Sequence, residues 1–283
     1  MTEPGLAAGP LPPTMLGINN QTVPEATALE VIRGAAQYGL GGVELTAEVL
    51  GSDTRRLTAA LREHGVQLLG VSPTTALHGW HAQWDDELEA SMRAEIYRAA
   101  EAGAGYFVMP FMRPAGDSDT VTAGLRRAIP IARDAGLRLA VEPIGHHDVL
   151  RRTDQLAPVL TALNDGVIGM LLDSFHFFRA GQSLDDLEHL DGVDVLAVQV
   201  SNANHRPTNQ LLGYRDRTFP LDGPFDVTGL CRETARRWPA APVIVEVIGE
   251  LAAATPFADG LRTAAMQLRE ITQLTEREDA RRA

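Results

Sequence analysis

LRLAVEP (Leu137–Pro143), VIGMLLDSFH (Val167–His176), VDVLAVQVSN (Val193–Asn202) and PVIVEVIGE (Pro242–Glu250) are four hydrophobic runs. Each ends on or near one metal-competent polar side chain: Glu142, Asp173, Gln199 and Glu246. The intervals of 31, 26 and 47 residues each suit one βα unit or one with an extended loop. A carboxylate set among Val, Ile and Leu is costly unless a cation or hydrogen bonds satisfy it. Four such groups at corresponding strand ends point to one shared cation. The pattern predicts a (β/α)8 barrel, of the TIM type, with a divalent metal at its C-terminal mouth.

Reading outward from these runs, strand-like and helix-like segments alternate along the rest of the chain. Strands are expected at Thr14–Asn19, Gly42–Thr46, Val66–Val71, Tyr106–Pro110, Leu137–Pro143, Val167–Asp173, Val193–Asn202 and Pro242–Ile248. Helices are expected at Pro24–Gln37, Asp53–His64, Asp85–Ala102, Ser118–Asp134, Thr153–Asn164, Ser183–Leu190, Phe225–Trp238 and Thr255–Leu274. Eight of each in strict alternation define an α/β barrel, and strands apolar on both faces fit parallel strands covered by helices. Gly39, Gly65, Gly103 and Gly136 fall where left-handed C-terminal caps belong. A doubly wound open sheet shares this local pattern, but LGINNQTVPE after the first strand holds no Gly-rich phosphate loop. The expected organisation is a flexible N-terminal tail over residues 1–13, a single barrel domain over 14–275, and a charged C-terminal tail over 276–283.

Composition narrows the chemistry. The chain has 283 residues, the size of one barrel, and a net charge of -12, which argues against nucleic acid and against an anionic membrane surface. One cysteine, Cys231, excludes an internal disulfide and a Cys-based zinc site. There is no lysine, and all 25 basic residues are arginines. Schiff-base chemistry, PLP attachment and a P-loop lysine are thereby excluded. The N-terminus MTEPGLAAGPLPPTM has neither a basic start nor a sustained apolar core, and no later run is long enough to span a membrane. A cytoplasmic enzyme is the expectation.

Three carboxylates and an amide oxygen form a hard oxygen site. Such a set favours Mg²⁺ or Mn²⁺, with Co²⁺ or Zn²⁺ as further candidates. The alternative for each residue alone is a local salt bridge or helix cap. Arg217, in the segment RTFPLDG, reads either as a bidentate clamp on a substrate carboxylate or phosphate, or as a surface partner of Asp216 or Asp222. His146 and His147 follow the fifth strand. His78, Trp80 and His81 lie in the loop after the third, where they line the mouth or simply pack.

These residues resemble the sugar phosphate isomerase/epimerase family, the xylose isomerase-like barrels, over most of residues 14–275. The resemblance implies a Glu, an Asp, a His and a Glu on one divalent metal. They correspond here to Glu142 in AVEP, Asp173 in LLDSFH, Gln199 in VQVSN and Glu246 in IVEV. Gln199 departs from the family's His. Together with LDSFH and RTFPLDG, it is similar to the 3-dehydroshikimate dehydratase branch, though Leu221 and Asp222 replace that branch's usual Gly-Gln or Gly-Glu. The resemblance also implies that His176 contacts substrate or relays a proton; the alternative is a structural His among Phe175, Phe177 and Phe178. It further implies that Glu44 binds a substrate hydroxyl or supports a ligand.

The expected activity is divalent-metal-dependent isomerisation or epimerisation of a sugar, keto-sugar or cyclitol. Glu142 or Glu246 takes a proton next to a carbonyl, giving a metal-bound enediolate. Loss of a β-hydroxyl from the same intermediate gives the dehydratase alternative. A non-catalytic sugar-binding or partner subunit is the alternative of another class. A small polyhydroxy carbonyl compound is the expected partner, and a homo-oligomer or a partner subunit stays open.

Overall fold

The computed structural model describes residues 15–75, 77, 80, 84–110, 117–147, 149–163 and 166–282. The expected tail over 1–13 and the position of His78 lie outside the described residues. Eight parallel strands close into a barrel: β1 (Leu16–Asn19), β2 (Gly42–Thr46), β3 (Gln67–Ser72), β4 (Tyr106–Pro110), β5 (Arg138–Glu142), β6 (Ile168–Asp173), β7 (Val195–Val200) and β8 (Val243–Val245). Each strand pairs with its neighbours in chain order, and β8 closes against β1.

Helices Ala28–Gln37, Thr54–His64, Asp86–Glu101, Ser118–Ala135, Thr153–Leu163, Val227–Arg237 and Phe257–Arg282 lie between and after the strands. Their starts follow from local chemistry. Thr27 and Glu30 form a reciprocal capping box, and Asp53, Asp85, Asp117 and Asp226 accept backbone N–H bonds at other N-termini. Gly65 and Gly136 cap their helices in the left-handed region at φ 65° and 69°, as expected.

The sequence and the structure differ in several places, four of which bear on the site and its surroundings. The expected helix at 183–190 is a 3-10 helix, Leu184–Leu190, whose run LDDLEHL is too short and acidic for a strong apolar stripe. An α-helix at Ser174–Arg179 precedes it, in the stretch between the expected strand ending at Asp173 and the expected helix starting at Ser183. The expected strand 193–202 stops at Val200, and Asn202–Ala203 pairs instead with Arg217–Thr218 in a separate antiparallel ribbon. The charged residues 276–282 continue the last helix rather than forming a tail. Glu and Arg are good helix formers, and Glu278 pairs with Arg232 on the neighbouring helix.

The strand period of two places the site. Ala140, Leu171, Ala197 and Ile244 pack together inside the barrel with Leu69, Tyr106 and Val108. Two residues further along each strand direction, on the same face, come Glu142, Asp173, Gln199 and Glu246. Leu139, Val141, Met170, Leu172, Val198 and Val245 alternate with these and join the larger core under the helices. The apolar floor of the barrel thus fixes the direction of its polar rim. Gly70 makes room for this floor: a Cβ there would lie 2.0 Å from the Tyr106 ring.

Candidate functional site at the barrel mouth

Asp173 is the last residue of β6 and lies directly opposite Gln199 in the pairing with β7. It also starts the helix Ser174–Arg179: Oδ1 accepts the His176 backbone N–H at 2.9 Å. This short helix carries His176 back over the rim. There the His176 Nε2 comes within 3.9 Å of Glu142 Oε1. Glu142, Asp173 and His176 each offer one ligand atom within 4.8 Å of the others, and all three are buried. The loop after β5 approaches this helix too closely for a side chain. A Cβ on Gly145 would lie 2.2 Å from the His176 carbonyl oxygen.

Arg217 lies inside this cluster, which rules out the surface alternative of pairing with Asp216 or Asp222. Its side chain is 1% exposed. Nη1 donates to Asp173 Oδ2 and to Ser201 Oγ, both at 2.8 Å, and to the Glu246 carbonyl at 3.3 Å. Nη2 lies 3.4 Å from Glu246 Oε2 and 3.3 Å from His176 Nε2. The guanidinium also sits 4.7 Å from the centre of the Phe175 ring. The two-residue ribbon made by Arg217–Thr218 and Asn202–Ala203 holds this arginine over the rim.

Glu44 lies below the rim. It is wholly buried in the middle of β2, opposite Asn19 of β1. Oε1 accepts from Asn19 Nδ2 at 2.6 Å and from Gln199 Nε2 at 2.5 Å, and Oε2 accepts the Tyr106 hydroxyl at 2.6 Å. Asn19 Nδ2 also donates to Glu246 Oε1 at 3.0 Å. Thr22 pins the chain on either side of Glu246: its hydroxyl donates to the Val245 carbonyl and accepts the Val247 N–H. Asn19 and Tyr106 were missed by the sequence reading. Asn19 ends β1 as Glu142 and Asp173 end theirs, so the same rule would have found it. Tyr106 begins its strand and carries no such signal.

The electrostatics follow from burial. Three buried carboxylates on the rim share one guanidinium, with Glu44 beneath them. Burial pushes the Glu142 carboxyl well above its usual range, and Glu246 and Asp173 push it further. Burial likewise raises Glu246 to about 8, with Arg217 opposing. Asp173 is also raised by burial, but Arg217, His176 and its hydrogen bonds outweigh this and hold it low. Burial drops His176 to about 3, so its ring is neutral at working pH. With Nε2 accepting from Arg217, the ring proton belongs on Nδ1.

The donor set fits a divalent cation. The negative charge exceeds what Arg217 neutralises, and Glu142 and Glu246 turn to protons in its place. The Gln199 Oε1 is buried and has no hydrogen-bond partner, an expensive state for an acceptor unless a ligand meets it. Above the rim opens a cavity of about 340 Å³, lined in part by Glu142, His176, Arg217 and Glu246. His146 stands outside that lining, stacked on His147 with ring centres 4.6 Å apart and 6.1 Å from His176.

The family model for the xylose isomerase-like TIM barrel matches residues 32–271, and the chain belongs to that family. An inosose isomerase of Bacillus licheniformis is 32% identical over 98 residues, covering 34% of this chain and 35% of that protein. The matched stretch thus spans about a third of the length of this curated relative. The crystal structure of the IOLI protein with a binding zinc atom superposes with a TM-score of 0.79 at 17% identity, covering 91% of this chain and 97% of that one. A 3-keto-D-glucoside 4-epimerase from E. coli superposes with a TM-score of 0.70 at 18% identity, covering 89% and 99%. Within this chain, Glu142, Asp173 and His176 form a buried group placed to hold a metal ion. Among the described residues, no helix is long and apolar enough to cross a membrane.

Proposed function

We propose that this protein is a divalent-metal-dependent isomerase or epimerase acting on a cyclitol or keto-sugar by proton transfer next to a carbonyl. The observation that carries the reading is the cluster of three buried carboxylates around one guanidinium, with two of the carboxyls raised by burial at the wall of a sugar-sized cavity. The inosose isomerase relatives and the keto-glucoside epimerase neighbour support the substrate class.

Glu142, Asp173, Gln199 and Glu246 would hold the cation, with His176 as the nearest further donor. When bound, the cation supplies positive charge that polarises a substrate carbonyl and eases loss of the adjacent proton. Glu142 and Glu246 are the two candidate bases. A carboxylate whose proton affinity lies near working pH is a stronger base than an exposed one, which is what burial gives Glu246. Asn19 and Arg217 grip Glu246 from two sides and keep its carboxylate aimed. The neutral His176 ring, held through Arg217 and the Asp173 cap, presents a polar edge to substrate hydroxyls. Arg217 lines the same cavity and offsets the charge that grows on the deprotonated substrate.

The test is α-hydrogen exchange. The protein is incubated in D₂O with a panel of inososes, 3-keto-glycosides and free ketoses, with Mn²⁺ or with EDTA. Cation-dependent deuterium uptake next to the ketone in at least one class is the expected result. The absence of both exchange and isomeric product with every one of them overturns the reading, and a new conjugated-enone absorbance reassigns the protein as a dehydratase.

A further inference from the structure

We propose that Glu44 is a positioning residue that decides which end of the Gln199 amide meets the cation. An amide has a donor end and an acceptor end, and only the oxygen can bind a metal cation. Glu44 accepts the Gln199 Nε2 at 2.5 Å, deep inside the barrel. Turning the amide over would press its oxygen against a carboxylate oxygen and strand two N–H donors. The Glu44 contact therefore leaves Oε1 as the free end, buried and without a partner.

Glu44 is itself fixed. The Tyr106 hydroxyl bonds its second oxygen at 2.6 Å, and Asn19 shares the first at 2.6 Å. Gly70 leaves the space that the Tyr106 ring fills to reach it. The hub therefore runs from β4 through β2 to β1 and β7, and through Asn19 it touches Glu246 as well. A histidine at position 199 would present a ring nitrogen whichever way it turned. A glutamine needs a carboxylate behind it, and Glu44 is that carboxylate. The role is distinct from a substrate contact, because Glu44 is wholly buried and is absent from the lining of the mouth cavity.

The proposal rests on the cation reading of the mouth, and the experiment separates the two. Mn²⁺ affinity is measured by titration calorimetry on the metal-stripped full chain, with the melting temperature of each variant recorded alongside. Glu44→Gln keeps the size of the side chain but lets the Gln199 amide turn over. It should weaken Mn²⁺ binding by roughly 10–100-fold, the usual effect of losing a partner that orients a ligand. The double variant Glu44→Gln/Gln199→Glu exchanges the two groups. The introduced amide then donates to the introduced carboxylate, whose other oxygen faces the cation whichever way it turns, while Asn19 gives up the shared oxygen at position 44 and keeps its bond to Glu246 Oε1. The exchange should restore affinity to the wild-type level or better. Unchanged affinity in Glu44→Gln overturns the positioning role while leaving the cation reading in place. A loss that the exchange does not repair also overturns it, since the damage is then general. A wild-type protein that binds no Mn²⁺ overturns the cation reading itself, and this proposal with it.

Discussion

Arg217→Met removes the guanidinium from inside the carboxylate cluster while keeping much of its bulk. In the native protein, the guanidinium makes two 2.8 Å hydrogen bonds, to Asp173 and Ser201, and lies 3.4 Å from Glu246. Asp173 and Arg217 are 0% and 1% exposed in their side chains, so the aspartate has no water to turn to when its partner goes. Breaking a buried pair by removing one member costs about 3–5 kcal/mol. At about 2–4 °C per kcal/mol for a chain of this size, the metal-stripped variant should melt roughly 6–20 °C below the wild type. The assay is scanning calorimetry of both proteins at pH 7 after chelation. Saturating Mn²⁺ should then raise the variant's melting temperature more than the wild type's, because the cation compensates the carboxylates Arg217 left behind. A variant that melts within 2 °C of the wild type, or gains no more from Mn²⁺, would refute this account of the cluster.

Three further outcomes follow from the same geometry. Burial lifts Glu246 to about 8 from 4.5, so its contribution to the stability of the metal-stripped protein is full below 4.5 and is lost as pH rises through about 8. Melting temperature should therefore fall from pH 5 to pH 9, and Glu246→Gln should flatten that slope; an equal slope in the variant counts against the assignment. Glu142→Gln and Glu246→Gln should each lower turnover by orders of magnitude, since each removes a charge from the site and one removes the base; a loss under about tenfold in both contradicts their roles. Gln199→His should shift cation preference from Mn²⁺, Mg²⁺ or Co²⁺ toward Zn²⁺ with the fold intact, as competition titrations would show; unchanged preference counts against Gln199 as a ligand.

The barrel was legible because hydrophobic runs and glycine caps recur at βα intervals, and both are local signals. The rim was legible for a related reason: a carboxylate at the end of a Val/Ile/Leu strand is costly, and the recurrence of such polar ends on four strands, not any one of them alone, stands out. Arg217 was legible only as a choice between an inward clamp and a surface partner. An arginine in a Pro/Gly-rich loop looks like a surface residue, and only the ribbon pairing with Asn202–Ala203 turns it inward. For Glu44 the resemblance left open a contact to a substrate hydroxyl or a support for a ligand. Its position in the middle of β2, against Tyr106 from the start of β4, comes from strand stagger around a closed barrel, which no single segment encodes. The helix at Ser174–Arg179 was hidden for the opposite reason. SFHFFR is apolar enough to continue a strand, and the Asp173 cap that starts the helix is also a rim residue.

The central claim is that the mouth moves a proton next to a carbonyl with the help of a bound cation. A keto-cyclitol or keto-sugar that the enzyme turns over is prepared with deuterium at the reacting α-carbon, converted with Mg²⁺, quenched with EDTA, and the product is read by NMR. The account predicts a primary isotope effect on turnover, with part of the label lost to solvent and the rest returned to the carbon it left or delivered by the same base to the neighbouring carbon. Deuterium carried in full to the neighbouring carbon, with none lost to solvent, would mean a hydride shift and would contradict the carboxylate-base mechanism at Glu142 and Glu246.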